Sequence, residues 1–319
     1  MPNSPASIAD RPSHPEHDVL SDVLSQLRVR GSLFSRAELS HPWGVHTTGT
    51  PTAMFHVVLE GAGWARTSDG QHHGFRAGDL ILFPRGSAHE LTAEVGLPTA
   101  HIAKLPREDA PGLPIVRHGG GGRPTSLLCG TFELGLDGRD FLLGLLPDIV
   151  HVRGGSGHTA AWLDATLALL AHEVKAARPG HELLVRRLAE VLFVQVLRAW
   201  VQQEGVEHGG WLGALSDPHI GRALGRVHGE PGGPWTARSL ADAAGLSRSA
   251  FYTRFDRLVG QPPSQYLLRW RMCLARRALR EGSAGMAQIA GEVGYASEAA
   301  FSRAFKREVG VAPSVFRAG

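Results

Sequence analysis

One stretch in the C-terminal part of this chain repeats an earlier one: Ile289-Ala-Gly-Glu-Val-Gly-Tyr-Ala-Ser-Glu-Ala-Ala-Phe-Ser-Arg-Ala-Phe-Lys306. The earlier copy is Leu240-Ala-Asp-Ala-Ala-Gly-Leu-Ser-Arg-Ser-Ala-Phe-Tyr-Thr-Arg-Phe255. From 251–266 to 301–316 the matching phenylalanine, glycine, proline and serine residues lie fifty positions apart. Each copy has a short apolar helix pattern, a glycine and a second helix pattern, which is typical of a helix-turn-helix unit. Two such units in tandem predict sequence-specific DNA binding.

The residues that flank these helix patterns favour helix starts and a sharp turn. Thr236, Ser247 and Ser297 each precede a helix pattern, where a side-chain oxygen can accept a hydrogen bond from an unpaired backbone N–H. Gly245 and Gly294 follow the first helix of each copy and can adopt the positive φ that such a turn often needs. Both copies are therefore predicted to form the same local structure.

The second helix of each copy has one apolar face and one polar face. Phe251 and Phe255, like Phe301 and Phe305, are spaced i, i+4 and are predicted to be buried. The opposite faces carry small, polar or cationic side chains, which suit base edges and phosphates; a helical bundle with solvated polar faces is the alternative. The predicted DNA-contacting residues are Arg248, Ser249, Tyr252, Thr253 and Arg257 in the first copy, and Glu298, Ala299, Ser302, Arg303 and Lys306 in the second.

A helix over 264–279 is predicted to join the two copies. Tyr266, Leu267 and Trp270 lie on one side of it, and sixteen residues of helix span roughly 24 Å. Such a rod can hold two recognition helices near the ~34 Å of one DNA turn, so one chain could contact two neighbouring major-groove segments.

Residues 217–319 resemble the DNA-binding domain of the AraC/XylS family of bacterial transcription regulators. The resemblance rests on 289–306 and on Gly310, Pro313 and Phe316, which follow at the family's spacing. Ala296 departs from the pattern, since relatives often carry an acidic residue there. The resemblance implies a transcription regulator, an activator rather than a repressor, with promoter DNA and RNA polymerase as partners.

Charge is distributed unevenly along the chain. Residues 217–319 hold 15 lysines and arginines against 8 acidic residues, a net charge of +7, whereas residues 1–216 hold 18 against 22, a net charge of −4. A basic C-terminal end fits a nucleic-acid partner. For any single lysine or arginine, a solvent-exposed position without a DNA contact is as good an explanation as a phosphate contact. The candidates for phosphate contact are Arg248, Arg254, Arg257, Arg269, Arg271, Arg276, Arg277, Arg303, Lys306 and Arg307.

The N-terminal part is predicted to be β-rich after a helix over 18–27. Short β-type runs occur at 31–38, 53–60, 63–67, 80–83, 100–104 and 126–134, which suggests a sandwich or barrel. Gly78-Asp-Leu-Ile-Leu-Phe-Pro84-Arg-Gly86-Ser-Ala-His89 matches the second cupin motif, and Phe55-His-Val-Val-Leu-Glu60-Gly61 resembles the first without its His-x-His pair. Residues 18–150 thus resemble the cupin-type effector-sensing domain of one AraC/XylS branch.

An effector pocket is predicted inside this barrel. Cupins direct histidines inward, so the resemblance implies that His46, His56 and His89 converge there, joined by Cys129. Neutral imidazoles and a thiolate suit Zn, Ni, Fe or Cu, so a divalent metal is one candidate effector or cofactor. A metal-free pocket that binds an organic ligand is the alternative. His72 and His73 are predicted to lie in a turn and to belong to no site.

Residues 151–208 are predicted to be a helical connector with helices over 161–177 and 182–203. The second helix is apolar over much of its circumference and therefore needs a partner surface. It can pack on the barrel or form a homodimer, and both can hold together. Residues 205–216 are predicted to be a linker and residues 1–17 a disordered tail.

Composition excludes several other classes. Only two cysteines, Cys129 and Cys273, are present, which argues against a disulfide framework and fits a reducing cytoplasm. There is no signal-peptide pattern and no apolar run of transmembrane length, so no membrane partner is expected. His172-Glu173 and His181-Glu182 lack the final histidine of a zinc-hydrolase motif.

The predicted fold class is α+β multidomain, with an N-terminal cupin β-barrel and flanking helices followed by a C-terminal all-α tandem helix-turn-helix domain. The predicted protein is a cytoplasmic regulator and no enzyme. The alternative is a metal-dependent cupin oxygenase or isomerase fused to a DNA-binding domain.

Overall fold

The computed structural model describes residues 18–26, 29–110, 113–154, 157–176, 178–208, 210–282 and 284–318. They form two compact units. The barrel unit comprises the described residues of 29–213, and the helical unit comprises 18–26 together with the described residues of 214–318. The predicted tail, 1–17, lies outside the described residues.

The barrel unit contains two β-sheets that enclose an apolar core. The larger sheet has the strand order β12-β6-β3-β11-β1-β10-β9 and the smaller one β5-β4-β7-β2-β8. Strand alternation directs Val45, Phe83, Leu91 and Leu127 into the core. The strands are β1 Val29–Ser40, β2 Gly44–Thr47, β3 Ala53–Glu60, β4 Ala62–Arg66, β5 His72–Arg76, β6 Leu80–Phe83, β7 His89–Thr92, β8 Ala100–His101, β9 Arg107–Glu108, β10 Ile115–Gly119, β11 Pro124–Leu134 and β12 Val150–Val152.

Several elements of this unit differ from the sequence-based expectation. His72 and His73 are not in a turn: they begin strand β5, which pairs with β4. Residues 102–104, expected to continue a strand, form a 3₁₀ helix after β8. Leu136–Leu143 forms helix α2, which the sequence pattern did not predict. These segments are short, so pairing with neighbours decides their structure more than local preference does.

Two long helices complete the barrel unit, α3 Gly157–Ala176 and α4 His181–His208. Helix α4 packs against β1, where a Cβ added to Gly31 would lie 2.2 Å from the Cβ of Ala189. The structure thus supplies the first of the two partner surfaces considered for this helix. The predicted linker is wrong in part, because residues 205–208 continue α4 and Gly210–Ala214 forms helix α5.

The helical unit contains the predicted tandem repeat. In the described part of the chain, no helix combines the length and apolar character needed to cross a membrane. Helix α9 confirms the helix predicted between the copies, with Tyr266, Leu267 and Trp270 buried. The helices are α1 Val19–Ser25, α6 Ile220–Gly229, α7 Ala237–Ala244, α8 Arg248–Val259, α9 Pro263–Glu281, α10 Met286–Glu292, α11 Glu298–Val309 and α12 Pro313–Ala318.

Helix α1 belongs to the helical unit, although the sequence-based range 18–150 grouped it with the cupin domain. Val19 and Val23 lie one helical turn apart, and both are buried. Helix α1 packs against α6. Nη1 of Arg277 donates a hydrogen bond to the carbonyl oxygen of Ser25 at 3.2 Å. The apolar i, i+4 pair therefore finds its partner surface in this unit rather than on the barrel.

Candidate DNA-binding surface and effector pocket

The first helix-turn-helix unit is formed by α7 and α8, with the predicted caps in place. The Thr236 hydroxyl accepts a hydrogen bond from the backbone N–H of Ser239 at 3.1 Å. Ser247 accepts one from the N–H of Ala250 at 3.3 Å. Gly245 ends α7 with a φ of 68°, a conformation that favours glycine. These three sequence predictions are confirmed.

The second unit, α10 and α11, repeats this geometry. Ser297 accepts from the N–H of Ala300 at 3.2 Å, and Gly294 has a φ of 79°. Phe301 and Phe305 are fully buried, as is Phe251 in the first unit, where Phe255 is 2% exposed. The apolar face of each second helix therefore lies in the core, which leaves the opposite face outward.

Most predicted base-contacting side chains lie on these outward faces. On α8, Ser249, Tyr252 and Thr253 are exposed, with Tyr252 at 47%. On α11, Arg303 and Lys306 are exposed, together with Glu298 and Ala299 at the helix start, whereas Ser302 is half-buried. A helix in the major groove contacts base edges through such a face.

Three arginines predicted to contact phosphates instead make contacts within the helical unit. Nε of Arg254 donates to Oδ2 of Asp217 at 3.0 Å. Arg271 donates to the carbonyl oxygens of Pro231 and Gly233 at 2.8 and 2.7 Å. Besides Ser25 on α1, Arg277 contacts Glu281 at 2.7 Å. The predicted phosphate role does not fit Arg254 and Arg271, because each guanidinium is already engaged. For Arg277, whose pair with Glu281 is exposed, the phosphate role stays a prediction.

The Asp217 carboxylate also fixes the start of α6. Its Oδ1 accepts from the backbone N–H groups of His219 and Ile220 at 3.0 and 2.9 Å. Burial raises the pKa of this carboxyl, but Arg254 and the two N–H groups outweigh burial and hold the pKa below its ordinary value. The carboxylate is therefore charged at neutral pH and joins α6 to α8.

In the barrel unit, a chain of hydrogen-bonding groups crosses the buried space between the sheets. His56 on β3 and Cys129 on β11 are register partners, and Nδ1 of His56 lies 3.2 Å from Sγ of Cys129. Nε2 of His56 lies 2.9 Å from Nε2 of His89 on β7. Nδ1 of His89 lies 2.8 Å from the carbonyl oxygen of Ser87. Three of the four predicted pocket residues are thus brought together.

The direction of each hydrogen bond follows from the Ser87 carbonyl, which can only accept. Nδ1 of His89 therefore carries the proton, and its Nε2 accepts from Nε2–H of His56. Nδ1 of His56 is then an acceptor, and the Cys129 thiol donates to it. Every group in the chain is neutral and every nitrogen has a partner.

Burial keeps this chain neutral. Burial lowers the pKa of His89 to about 4, although the Ser87 carbonyl acts in the opposite direction. Burial, and then the proximity of His89, lowers the pKa of His56. Burial raises the pKa of the Cys129 thiol to about 12. At neutral pH the site is therefore two neutral imidazoles and a thiol, not a thiolate.

These residues do not fit a three-ligand metal site. Nδ1 and Nε2 lie on opposite edges of an imidazole ring, so Cys129 and His89 contact His56 from opposite sides and cannot share one ion with it. Among the described residues, no group of three or more His, Cys, Asp or Glu side chains is arranged to hold a metal ion. The divalent metal considered from the sequence therefore has no matching donor set here.

His46 does not join the buried chain. Its neighbour Val45 faces the core, so alternation along β2 turns His46 to the other face, where Nδ1 lies 2.9 Å from Oγ1 of Thr99. His46 and His89 instead line one open cavity of about 320 Å³. The cavity wall also includes Thr47, Thr48, Arg66, Thr67, Ser68 and Glu90.

The polar wall of this cavity was not predicted from the sequence. Arg66 forms a two-point ion pair with Glu90, at 3.0 and 2.8 Å. The pairs Thr47-Thr48 and Thr67-Ser68 lie at strand ends. Two adjacent hydroxyl residues at the end of a strand are the sequence signal that could have indicated this wall.

The glycine of the second cupin motif sets the position of His89. Gly86 has a φ of 64°, and an added Cβ would lie 2.1 Å from the carbonyl oxygen of Thr52. Only glycine fits this turn, which leads directly into β7. The motif thus has a steric reason: the tight turn places His89 between the sheets.

Comparison with known proteins agrees with both halves of this description. The sequence profile of a family described as "Cupin" matches residues 18–202, and that of a "Helix-turn-helix domain" family matches residues 240–319. A putative AraC-like transcription regulator of Streptomyces antibioticus is 35% identical over 303 residues, covering 94% of this chain and 98% of that protein. The chain belongs to the family of AraC-like transcription regulators.

Other AraC-like regulators match over nearly their whole length. The HTH-type transcriptional regulator AlkR of Acinetobacter baylyi is 29% identical and is covered to 99%, with 94% of this chain. The RCS-specific HTH-type transcriptional activator RclR of Escherichia coli is 27% identical and is covered to 97%, again with 94% of this chain. Among solved structures, an AraC-type regulator from Chromobacterium violaceum matches 33% of this chain and 94% of its own, at 28% identity and a TM-score of 0.31.

Proposed function

We propose that this AraC-like regulator binds promoter DNA through the outward faces of α8 and α11, and that a small molecule bound at the barrel cavity controls this binding. The observation that supports the DNA contacts is the repeat itself, in which two equally capped helices turn polar and cationic side chains outward. The net charge of +7 over residues 217–319 favours a polyanionic partner.

The proposed effector site is the cavity over His89, with His56 and Cys129 behind it. The cavity wall is polar, and its one strong charge pair, Arg66 with Glu90, is internally neutralised. Such a wall suits a small polar organic molecule better than a metal ion, since the buried nitrogens already have partners. His46 also lines this cavity, from the face of β2 opposite the core.

The remaining partners extend the same proposal. We expect activation through contact with RNA polymerase in the cytoplasm, where promoter DNA lies, and one relative, RclR, is itself named an activator. A homodimer is supported by Leu183, Leu184 and Val191 on α4, which are 53%, 41% and 49% exposed.

The regulator is proposed over the metal-dependent cupin enzyme because Cys129, His56 and His89 do not form a shared ligand set.

A thermal-shift screen of the full-length protein tests the effector site. We expect Zn²⁺ and Ni²⁺ to leave the melting temperature unchanged and a small polar compound to raise it, since ligand at 100 times its Kd stabilises the native state by about 2.7 kcal/mol. His89→Ala should remove the shift. The matched control is His72→Ala, which truncates an exposed imidazole on β5. A shift that survives His89→Ala unchanged would place the ligand elsewhere.

A further inference from the structure

The internal repeat allows α8 and α11 to be compared position by position, because the two helices are equivalent and fifty residues apart. Thr253 on α8 corresponds to Arg303 on α11, and both are exposed on the face opposite the buried phenylalanines. Asp256 corresponds to Lys306 in the same way. Equivalent positions in two equivalent helices thus present different chemistry to DNA.

The start of α8 carries an open groove with a partly apolar wall. The groove has a volume of about 450 Å³, and Leu246, Ala250 and Thr253 contribute methyl groups to its wall, beside Ser249 and Arg257. Arg254 also borders the groove, but Asp217 holds its guanidinium. The C5-methyl of thymine is the apolar group that a base pair presents in the major groove. A groove of this character on a basic unit therefore matches a thymine methyl in a DNA duplex.

The corresponding surface of α11 differs from that of α8 in its chemistry. Tyr295 follows the turn glycine of the second unit as Leu246 follows that of the first, and Arg303 stands where α8 has Thr253. A guanidinium donates two parallel hydrogen bonds to O6 and N7 of guanine, the commonest specific contact in the major groove. Lys306, one turn further on the same face, adds a second positive charge.

We propose that α8 recognises a thymine through its C5-methyl in the Leu246–Ala250–Thr253 groove, and that α11 recognises a guanine through Arg303. The operator would then contain a thymine-specified segment and a guanine-specified segment about one helical turn apart. This inference rests on the proposed assignment of both helices to base contacts, and it adds the base that each one selects.

The test begins with in vitro selection of an operator by the full-length protein, followed by single-atom changes in the DNA. Each thymine is replaced in turn by deoxyuridine, which removes only the methyl group, and each guanine by 7-deazaguanine, which removes the N7 acceptor. We expect one thymine in the α8 segment to lose about fourfold in affinity as deoxyuridine, the value for burying one methyl. Deoxyuridine in the α11 segment should change nothing and serves as the internal control.

Two protein variants assign these effects to their helices. Thr253→Ser deletes only the γ-methyl and should reduce the deoxyuridine penalty, while Arg303→Ala should lose about 5- to 150-fold on the guanine operator and lose its sensitivity to 7-deazaguanine. If deoxyuridine is tolerated at every thymine while both segments remain protected by the bound protein, the thymine assignment is wrong and the proposed DNA contacts stand. If the protein selects no sequence at all, the proposed DNA contacts themselves fail.

Discussion

Raising the salt concentration from 50 to 200 mM is expected to weaken operator binding by the full-length protein about 10³- to 10⁴-fold. The exposed cations of the helical unit, Arg248, Lys306 and Arg307 among them, are expected to supply the phosphate contacts. If about 6–8 phosphates are neutralised, released counterions give a slope of log K against log salt near −5 to −7. Fluorescence anisotropy with labelled operator over this range measures the slope.

Two variants show which charges produce that slope. Arg307→Ala removes one exposed cation of α11 and should make the slope shallower by about one. Arg187→Ala removes an exposed cation from the barrel unit and should leave the slope unchanged. A parent slope shallower than about −2 would contradict a phosphate-dominated interface.

Acid is expected to destabilise the barrel unit between pH 6.5 and pH 4. The pKa of His89 is depressed to about 4 in the folded state, so the unfolded chain binds more protons in this window. The stability that neutral His89 contributes is therefore fully present above pH 6.5. As the pH drops, the free energy of unfolding falls by about 3 kcal/mol for this one group. His56 acts in the same direction, because burial and His89 lower its pKa too.

Urea denaturation of the full-length protein gives the free energy of unfolding as a function of pH. Hydrogen exchange monitored in the peptide 53–60 then assigns the effect to the barrel unit. His89→Gln keeps a donor and an acceptor but cannot take up a proton, so it should remove the His89 part of the pH dependence in this window. His72→Gln, on the exposed end of β5, should behave as the parent does. Equal pH dependence in the parent and in His89→Gln would show that the His89 imidazole is not an acid-sensitive group.

The helix-turn-helix units could be predicted because the residues that determine their structure lie close together in the sequence. The capping residues Thr236, Ser247 and Ser297, and the turn glycines, each act within a few positions of the chain, and the i, i+4 phenylalanines mark the buried face. The fold of both copies follows from these signals.

Arg254 could not be separated from the phosphate-contacting arginines by sequence. Its partner Asp217 lies 37 residues away, and nothing near Arg254 in sequence indicates that contact. Arg271 is likewise held by two backbone carbonyls about forty residues upstream. Long-range pairing of this kind depends on the packed tertiary structure.

The position of His46 outside the buried chain could not be predicted for a different reason. Strand β2, Gly44–Thr47, was not predicted, so the alternation that turns Val45 inward and His46 outward was not applied. The opposite placement of Cys129 and His89 around His56 depends on strand register, which sequence spacing does not specify. His56 and His89 were found because the cupin motifs place them on known strands.

Control of DNA binding by a ligand at the barrel cavity is tested by measuring operator affinity with and without that ligand. A ligand can shift DNA binding only if it binds the two functional states with different affinities. We predict that the compound found in the thermal-shift screen changes the operator Kd of the parent at least fivefold, and that folded His56→Ala and His89→Ala proteins bind DNA but lose this change. An operator Kd that is the same with and without a ligand shown to occupy the cavity would contradict the account.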